Sequence, residues 1–243
     1  MLNIVMGELI SLLSQIFHLL LNKFMDLDGI IKKYLKNNAR KNSLRQVFEI
    51  LSTGNFQEMV ELGCSRCDFE GYSTLLFSIV AEHFKSVFHS VDISKESIDF
   101  SMNILSSYSE NLNTTTFFHS NQYDYLMNRK NKIDFIYIDA SDGAKDRVLN
   151  FVANEIDILN DGALILLDDQ CNSGGNGETC ACIEVINTSE KLHPIDKKTY
   201  FELCDEEKYW ENEYKMYECG NNTTVYPNGV RQHPFQILLE YKK

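Results

Sequence analysis

The chain has 243 residues, 44% of them apolar, which suffices for one large domain or for one domain with an extension. Its formal net charge of −12 argues against nucleic acid or an anionic membrane surface as partner, because both select basic surfaces. Seven cysteines cannot all pair within one chain, so Cys64 and Cys67 (C-x-x-C) and Cys180 and Cys182 (C-x-C) read as free thiols of a reducing cytoplasm, with structural zinc the lesser reading.

Residues 1–24 are rich in Leu and Ile, but Glu8, Gln15, His18 and Asn22 interrupt them. No uncharged run therefore reaches the roughly 20 residues of a membrane span. No basic start and no small-residue cleavage site mark a signal peptide. Leu9, Leu13, Ile16, Leu20 and Phe24 recur at helical spacing and predict an amphipathic helix. Its broad apolar face suits packing on the main domain or on another subunit, giving a homo-oligomer, more than attachment to a membrane interface. Residues 26–51 continue as helix with a polar break at 36–41. This predicts an N-terminal helical extension, 1–52, and a main domain, 53–243, beginning where Gly54 marks a turn.

From there strand and helix patterns alternate. Residues 56–63 form a strand candidate ending on Glu61 and Gly63. After the loop 64–70, Gly71, Tyr72, Ser73 and Thr74 open an apolar helix that runs to Phe84. Residues 86–91 are the next strand, with Asp92 at its end. Ser94 is an N-cap for a helix over 95–107. Strands over 114–119 and 133–138 flank a short helix at 121–128. A helix over 144–159, a turn at Asp161 and Gly162, and a strand over 163–167 follow, the strand running into Asp168 and Asp169. A Gly/Asn loop at 172–177 leads to a helix over 178–192. In the tail, 200–203, 215–219 and 235–241 are strand candidates, and Asn228 with Gly229 is a turn signal. The alternation predicts an α/β fold with a mostly parallel sheet and an antiparallel C-terminal edge. Parallel strands joined by helices bring both of the first loops to one edge, where ligands bind in open α/β sheets.

In the order of these pieces the chain resembles the class I S-adenosylmethionine-dependent methyltransferases, over roughly 56–169. The matching residues are Glu61 with Gly63, the helix opening at Gly71 to Thr74, Asp92, the apolar strand into Asp139, and Asn160 to Ala163 leading into the fifth strand. Asp139 to Asp142 and Leu164 to Asp169 look most like the small-molecule O-methyltransferase branch. The resemblance implies a Rossmann-like, mostly parallel seven-stranded sheet with helices on both faces. It implies a methyl transferase of S-adenosylmethionine acting on a small-molecule hydroxyl; the alternative is an inactive methyltransferase-like module that binds a ligand or a protein. Glu61 and the Gly63 backbone are then expected near the methionine part of the cofactor, Asp92 on the ribose hydroxyls, and Asn121 or Gln122 at the adenine edge. Cys64, Gly71, Ser73 and Ile93 complete the expected cofactor contacts, and Asp139 is expected beside the sulfonium and the acceptor.

Two departures from the family stand out. The loop between Gly63 and Gly71 carries an insertion, 64–70. Asp142 stands where many relatives have a His that serves as base, and a carboxylate is the weaker base. Catalytic candidates are therefore Asp139, Asp142 and, in the tail, His233.

Asp139, Asp168 and Asp169 fall at the ends of two strands expected to be neighbours. Converging acids repel unless a cation or hydrogen-bond donors offset them. Oxygen ligands of this kind suit Mg²⁺ or another divalent ion, and metal-dependent O-methyltransferases hold one with a similar set. The competing reading is a solvated or hydrogen-bonded acid cluster. Lys145, at a helix start, reads as surface charge more than as a contact to the acceptor, and His119 as a buried, hydrogen-bonded side chain. The aromatic tail, with Tyr209, Trp210, Tyr214, Tyr217 and Tyr226, lines an acceptor pocket or covers a sheet edge.

Overall fold

The structure is a computed structural model, described for residues 29, 41–54, 56–66, 72–108, 112–139, 145–168, 178–195, 217–219, 223–225 and 236–243. The expected N-terminal amphipathic helix, the 172–177 loop, the 200–203 strand and the Asn228–Gly229 turn lie outside the described residues, as do most of the tail aromatics.

Strands β1 (Glu58–Leu62), β2 (Val87–Asp92), β3 (Thr115–His119), β4 (Ile133–Ile138), β5 (Leu159–Leu167), β6 (Leu192–Pro194) and β9 (Ile237–Tyr241) form one sheet in the order β3-β2-β1-β4-β5-β9-β6. The first five pair in parallel; β9 runs antiparallel to both β5 and β6. This is the expected seven-stranded sheet with its antiparallel C-terminal edge. A separate hairpin pairs β7 (Tyr217–Cys219) with β8 (Thr223–Val225).

Both faces of the sheet are apolar because side chains alternate across a strand. Along β4, Ile133, Ile136 and Ile138 enter one core, while Phe135 and Tyr137 enter the other. The first core is covered by α4 (Gln122–Asn128), α5 (Lys145–Asn150) and α6 (Glu178–Thr188), through residues such as Leu126, Val148 and Ile186. The second is covered by α1 (Lys41–Thr53), α2 (Ser73–Phe84) and α3 (Lys95–Tyr108). Phe77 of α2 is its hub, with ring centroids 5.9 Å from Phe48, 6.1 Å from Phe88, and 5.2 Å from both Phe135 and Tyr137. Leu44, Val47, Phe48 and Leu51 of α1 are fully buried there, so this part of the expected extension is built into the core of the domain.

Three boundaries differ from the sequence expectation. The helix expected over 144–159 is α5 followed by a π-helical turn, Phe151–Glu155. It stops there because Ile156 is extended and the Ile158 carbonyl already accepts the Ile133 N–H at 2.8 Å. Asp161 and Gly162 are not a turn before the fifth strand but a bulge within it: the register passes from Ile133 opposite Leu159 to Phe135 opposite Leu164. Gly162 takes φ +79° there, a conformation that favours glycine. The helix expected over 178–192 ends at Thr188, and Leu192 joins the sheet edge, where Pro194 is tolerated.

Candidate functional site

The strand order reverses between β1 and β4, so the C-terminal ends of β1, β2 and β4 open onto one crevice. Gly63 leaves β1 with φ +91°, and its N–H bonds the Val91 carbonyl at 2.8 Å. The Asp139 N–H bonds the Leu62 carbonyl, also at 2.8 Å. Gly63, Asp92 and Asp139 therefore lie side by side on this edge.

Glu61, one residue pair before it, has no exposed surface. Its carboxylate accepts hydrogen bonds from Ser73 Oγ (2.7 Å), Thr74 Oγ1 (2.7 Å) and Ser90 Oγ (2.6 Å). Burial pushes its pKa up to about 7, against the lowering effect of the three hydroxyls. Ser65 N–H donates to Thr74 Oγ1 at 3.0 Å, and Ser101 Oγ donates to the Ser65 carbonyl at 2.9 Å. The carboxylate thus ties β1 and β2 to the first turn of α2, and the hydroxyl cluster pins the start of the loop, at Ser65, to α2 and α3. Tyr72, the residue before α2, sits in the left-handed region at φ 53°, costly for a bulky side chain.

Asp92 organises the same loop. Its Oδ2 accepts the Cys64 N–H at 3.0 Å, and its Oδ1 accepts the Ser94 N–H at 2.7 Å. Burial, with Glu61 and Asp92 nearby, drives the Cys64 thiol strongly upward in pKa, so it stays protonated. Ile93, next to Asp92, is 69% exposed. His119 Nε2 lies 2.9 Å from the Ile93 carbonyl, at the surface rather than buried as the sequence suggested. Asn121 Oδ1 accepts the Tyr123 N–H at 2.8 Å and caps α4, next to Ser120, whose N–H bonds the Asp92 carbonyl at 3.0 Å.

At the far side of the crevice Lys145 is buried, 1% exposed, rather than a surface charge. Its Nζ is 3.4 Å from Asp139 Oδ1 and 3.1 Å from the Asp168 carbonyl. The Asp168 carboxylate, fully buried, accepts from Tyr137 OH (2.5 Å) and from Gln236 Nε2 (2.8 Å). Of the three acids expected to cage a divalent ion, Asp139 and Asp168 are described, and Asp169 lies outside the described residues. Both carboxylate oxygens of Asp168 face neutral donors, Asp139 faces an ammonium, and no group of three His, Cys, Asp or Glu side chains suited to a metal exists among the described residues. The residues described do not fit the ion. Gly71, Asp142, Asp169 and His233 lie outside the described residues. Sequence reasoning missed Ser90, Thr74, Tyr137 and Gln236, and it took Lys145 for a surface charge. For Lys145 a signal was present, since an acid trio at adjoining strand ends demands a cation and this lysine begins the next helix.

Residues 60–170 match the model of a family described as a methyltransferase domain. No curated protein matches the sequence. Among solved structures, one described as an O-methyltransferase from Klebsiella pneumoniae is similar at 13% identity and TM-score 0.56, over 89% of each chain. The O-methyltransferase TomG of Streptomyces achromogenes, involved in tomaymycin synthesis and solved with S-adenosylmethionine, is similar at 10% identity and TM-score 0.52, over 89% of each chain. A protein described as an rRNA methylase from Clostridium thermocellum is similar at 12% identity and TM-score 0.51, over 82% of this chain and 97% of its own. The fold is that of the class I S-adenosylmethionine-dependent methyltransferases, and residues 60–170 carry the match to a methyltransferase domain. Among the described residues no helix is long and apolar enough to cross a membrane.

Proposed function

We propose that the chain transfers the methyl group of S-adenosylmethionine to a hydroxyl of a small molecule. The observation that carries this reading is the alignment of Gly63, Asp92 and Asp139 along one strand-end edge, with exposed Ile93 beside it. In this reading Asp92 accepts the ribose hydroxyls, the Gly63 backbone passes close to the methionine part, and Ile93, Asn121 and Gln122 border the adenine. Asp139 stands where sulfonium and acceptor meet. Glu61, sealed behind hydroxyls, shapes the loop rather than touching the ligand, and Ser73 acts with it. The acceptor oxygen attacks the methyl carbon as its hydroxyl proton passes to a base, for which Asp139 is the described candidate; the carbon–sulfur bond breaks, and sulfur keeps the electron pair as a neutral thioether. The sulfonium charge is thus discharged as the transferred proton, and the protein's main task is alignment.

The net charge of −12 favours a small molecule over RNA, and the likeness to an rRNA methylase extends to the fold alone. The buried free thiol of Cys64 agrees with a reducing, cytoplasmic setting. A second reading, a methyltransferase-like binding module, is supported by the lengthened loop between Gly63 and Gly71. Calorimetry with S-adenosylmethionine and S-adenosylhomocysteine, followed by transfer of a labelled methyl group to small-molecule extracts and to RNA, separates these. Label in small molecules supports the proposal. Binding without transfer supports the module, and label in RNA alone overturns the acceptor class.

A further inference from the structure

Two carboxyl-bearing strand ends meet at this crevice, and a lysine fills the space between them. Lys145 carries a side chain with no exposed surface, its Nζ held between Asp139 Oδ1 and the backbone carbonyl of Asp168. A buried ammonium is costly unless paired, and Asp139 supplies that pair. Asp139 itself keeps 15% of its side chain exposed, so it is the member of the pair open to a ligand. Asp168 is closed off by Tyr137 and Gln236 and does not compete for the ammonium with its carboxylate.

We infer that Lys145 is the resident cation of the transfer site: it offsets and orients Asp139, so that this chain handles S-adenosylmethionine without a divalent metal ion. The inference rests on the methyltransferase reading above. A dication at Asp139 would share the carboxylate with an ammonium whose Nζ lies 3.4 Å from Oδ1, and two cations on one carboxylate repel each other at the edge of a buried site. Lys145 is a positioning residue, acting through Asp139. Its charge also sets how strongly Asp139 distinguishes the cationic sulfonium of the substrate from the neutral thioether of the product. With the ammonium present, the carboxylate is partly offset and the product is not held against a strong preference for charge.

The test uses the full chain. Melting curves and calorimetry with S-adenosylmethionine are recorded with chelator, and with millimolar Mg²⁺, Ca²⁺ or Mn²⁺ against NaCl of equal ionic strength. The wild type should show the same melting temperature, and affinities equal within about twofold, in all of them. Lys145→Met should raise the preference for S-adenosylmethionine over S-adenosylhomocysteine roughly fivefold or more, because the ammonium no longer offsets the Asp139 charge. Lys145→Arg, which keeps the charge, should restore the wild-type ratio. A metal-specific rise in melting temperature or affinity in the wild type overturns the inference. So does an unchanged ratio in a folded Lys145→Met variant. If that variant does not fold, a ratio in Lys145→Arg that departs from wild type, or the wild-type metal series, decides the matter. A wild type that binds neither ligand overturns the methyltransferase reading instead, and its metal melting curves still report whether an ion or Lys145 neutralises the acids.

Discussion

Glu61 and Ser90 stand directly opposite each other on β1 and β2, and the Ser90 hydroxyl donates to Glu61 at 2.6 Å where neither residue has exposed surface. The pair joins the two strands whose ends carry Gly63 and Asp92. Ser73 and Thr74 bring the start of α2 to the same carboxylate, so one buried acid sets the relative position of three elements around the crevice.

This arrangement has a pH signature. Burial raises the Glu61 pKa from 4.5 to about 7, so the folded state keeps a proton that the unfolded chain loses across that interval. The folded state is then favoured below about pH 4.5, and this contribution is lost as pH rises to about 7. Its full size is on the order of 3 kcal/mol. Glu61→Gln, measured by urea denaturation, should therefore gain stability relative to wild type as pH rises through the window. Parallel stability curves for the two proteins would show that Glu61 does not titrate there.

Asp92→Ala should weaken S-adenosylmethionine binding by about 1.5–3 kcal/mol, the worth of hydrogen bonds to a charged group. Part of the loss would come from the Cys64 and Ser94 N–H groups that Asp92 now holds. Calorimetry on a variant with native circular dichroism reads it, and unchanged affinity would remove Asp92 from the cofactor site.

Tyr137→Phe deletes one of the donors to the fully buried Asp168 carboxylate. The unmet acceptor should cost about 1–3 kcal/mol in urea denaturation, without any rescue by Mg²⁺. Rescue by the ion would instead assign Asp168 to a metal site.

The parallel sheet was legible because its strands are short apolar runs that end on Gly63, Asp92 or Asp139, separated by helical patterns. The helix ends were less so. Ile156, Ile158 and Leu192 are apolar and fit a helix face as well as a strand, and the pairing of Ile158 with Ile133 and of Leu192 with Tyr241 holds them extended. The acids of the crevice were found by position, but their partners were not. Ser90 looks like any strand serine, Tyr137 like any core aromatic, and Gln236 lies 68 residues from Asp168. Lys145 was legible in place but not in burial, because a lysine at a helix start is usually solvated. What the strand pattern fixed was where the acids emerge. Which of them meet a hydroxyl, an amide or an ammonium depends on packing across the sheet.

A second titrating group opposes Glu61 over nearly the same range. On β2, His89 Nδ1 accepts from Arg129 Nη1 at 2.6 Å and lies 2.5 Å from the Tyr125 hydroxyl, while Arg129 Nη2 pairs with Glu58 Oε2 at 2.5 Å. Burial, and then the Arg129 charge, lowers the His89 pKa from 6.5 to about 4. The unfolded chain takes up a proton between those values that the folded state refuses, so stability falls as pH drops from about 6.5 to 4. Glu61 contributes the opposite slope, and the two partly cancel in the wild type. His89→Gln, whose amide oxygen can still accept from Arg129, should remove the acid-side loss and leave a stability that declines more steeply with rising pH. Glu61→Gln should do the reverse, and the double variant should return toward the wild-type profile. Because His89 is half-buried, its share is reduced by solvent screening and is read best as a difference between the His89→Gln and wild-type urea curves over pH. If that difference is flat with pH, the imidazole is not held neutral by Arg129, and the cluster joining β1, β2 and the end of α4 is a static one.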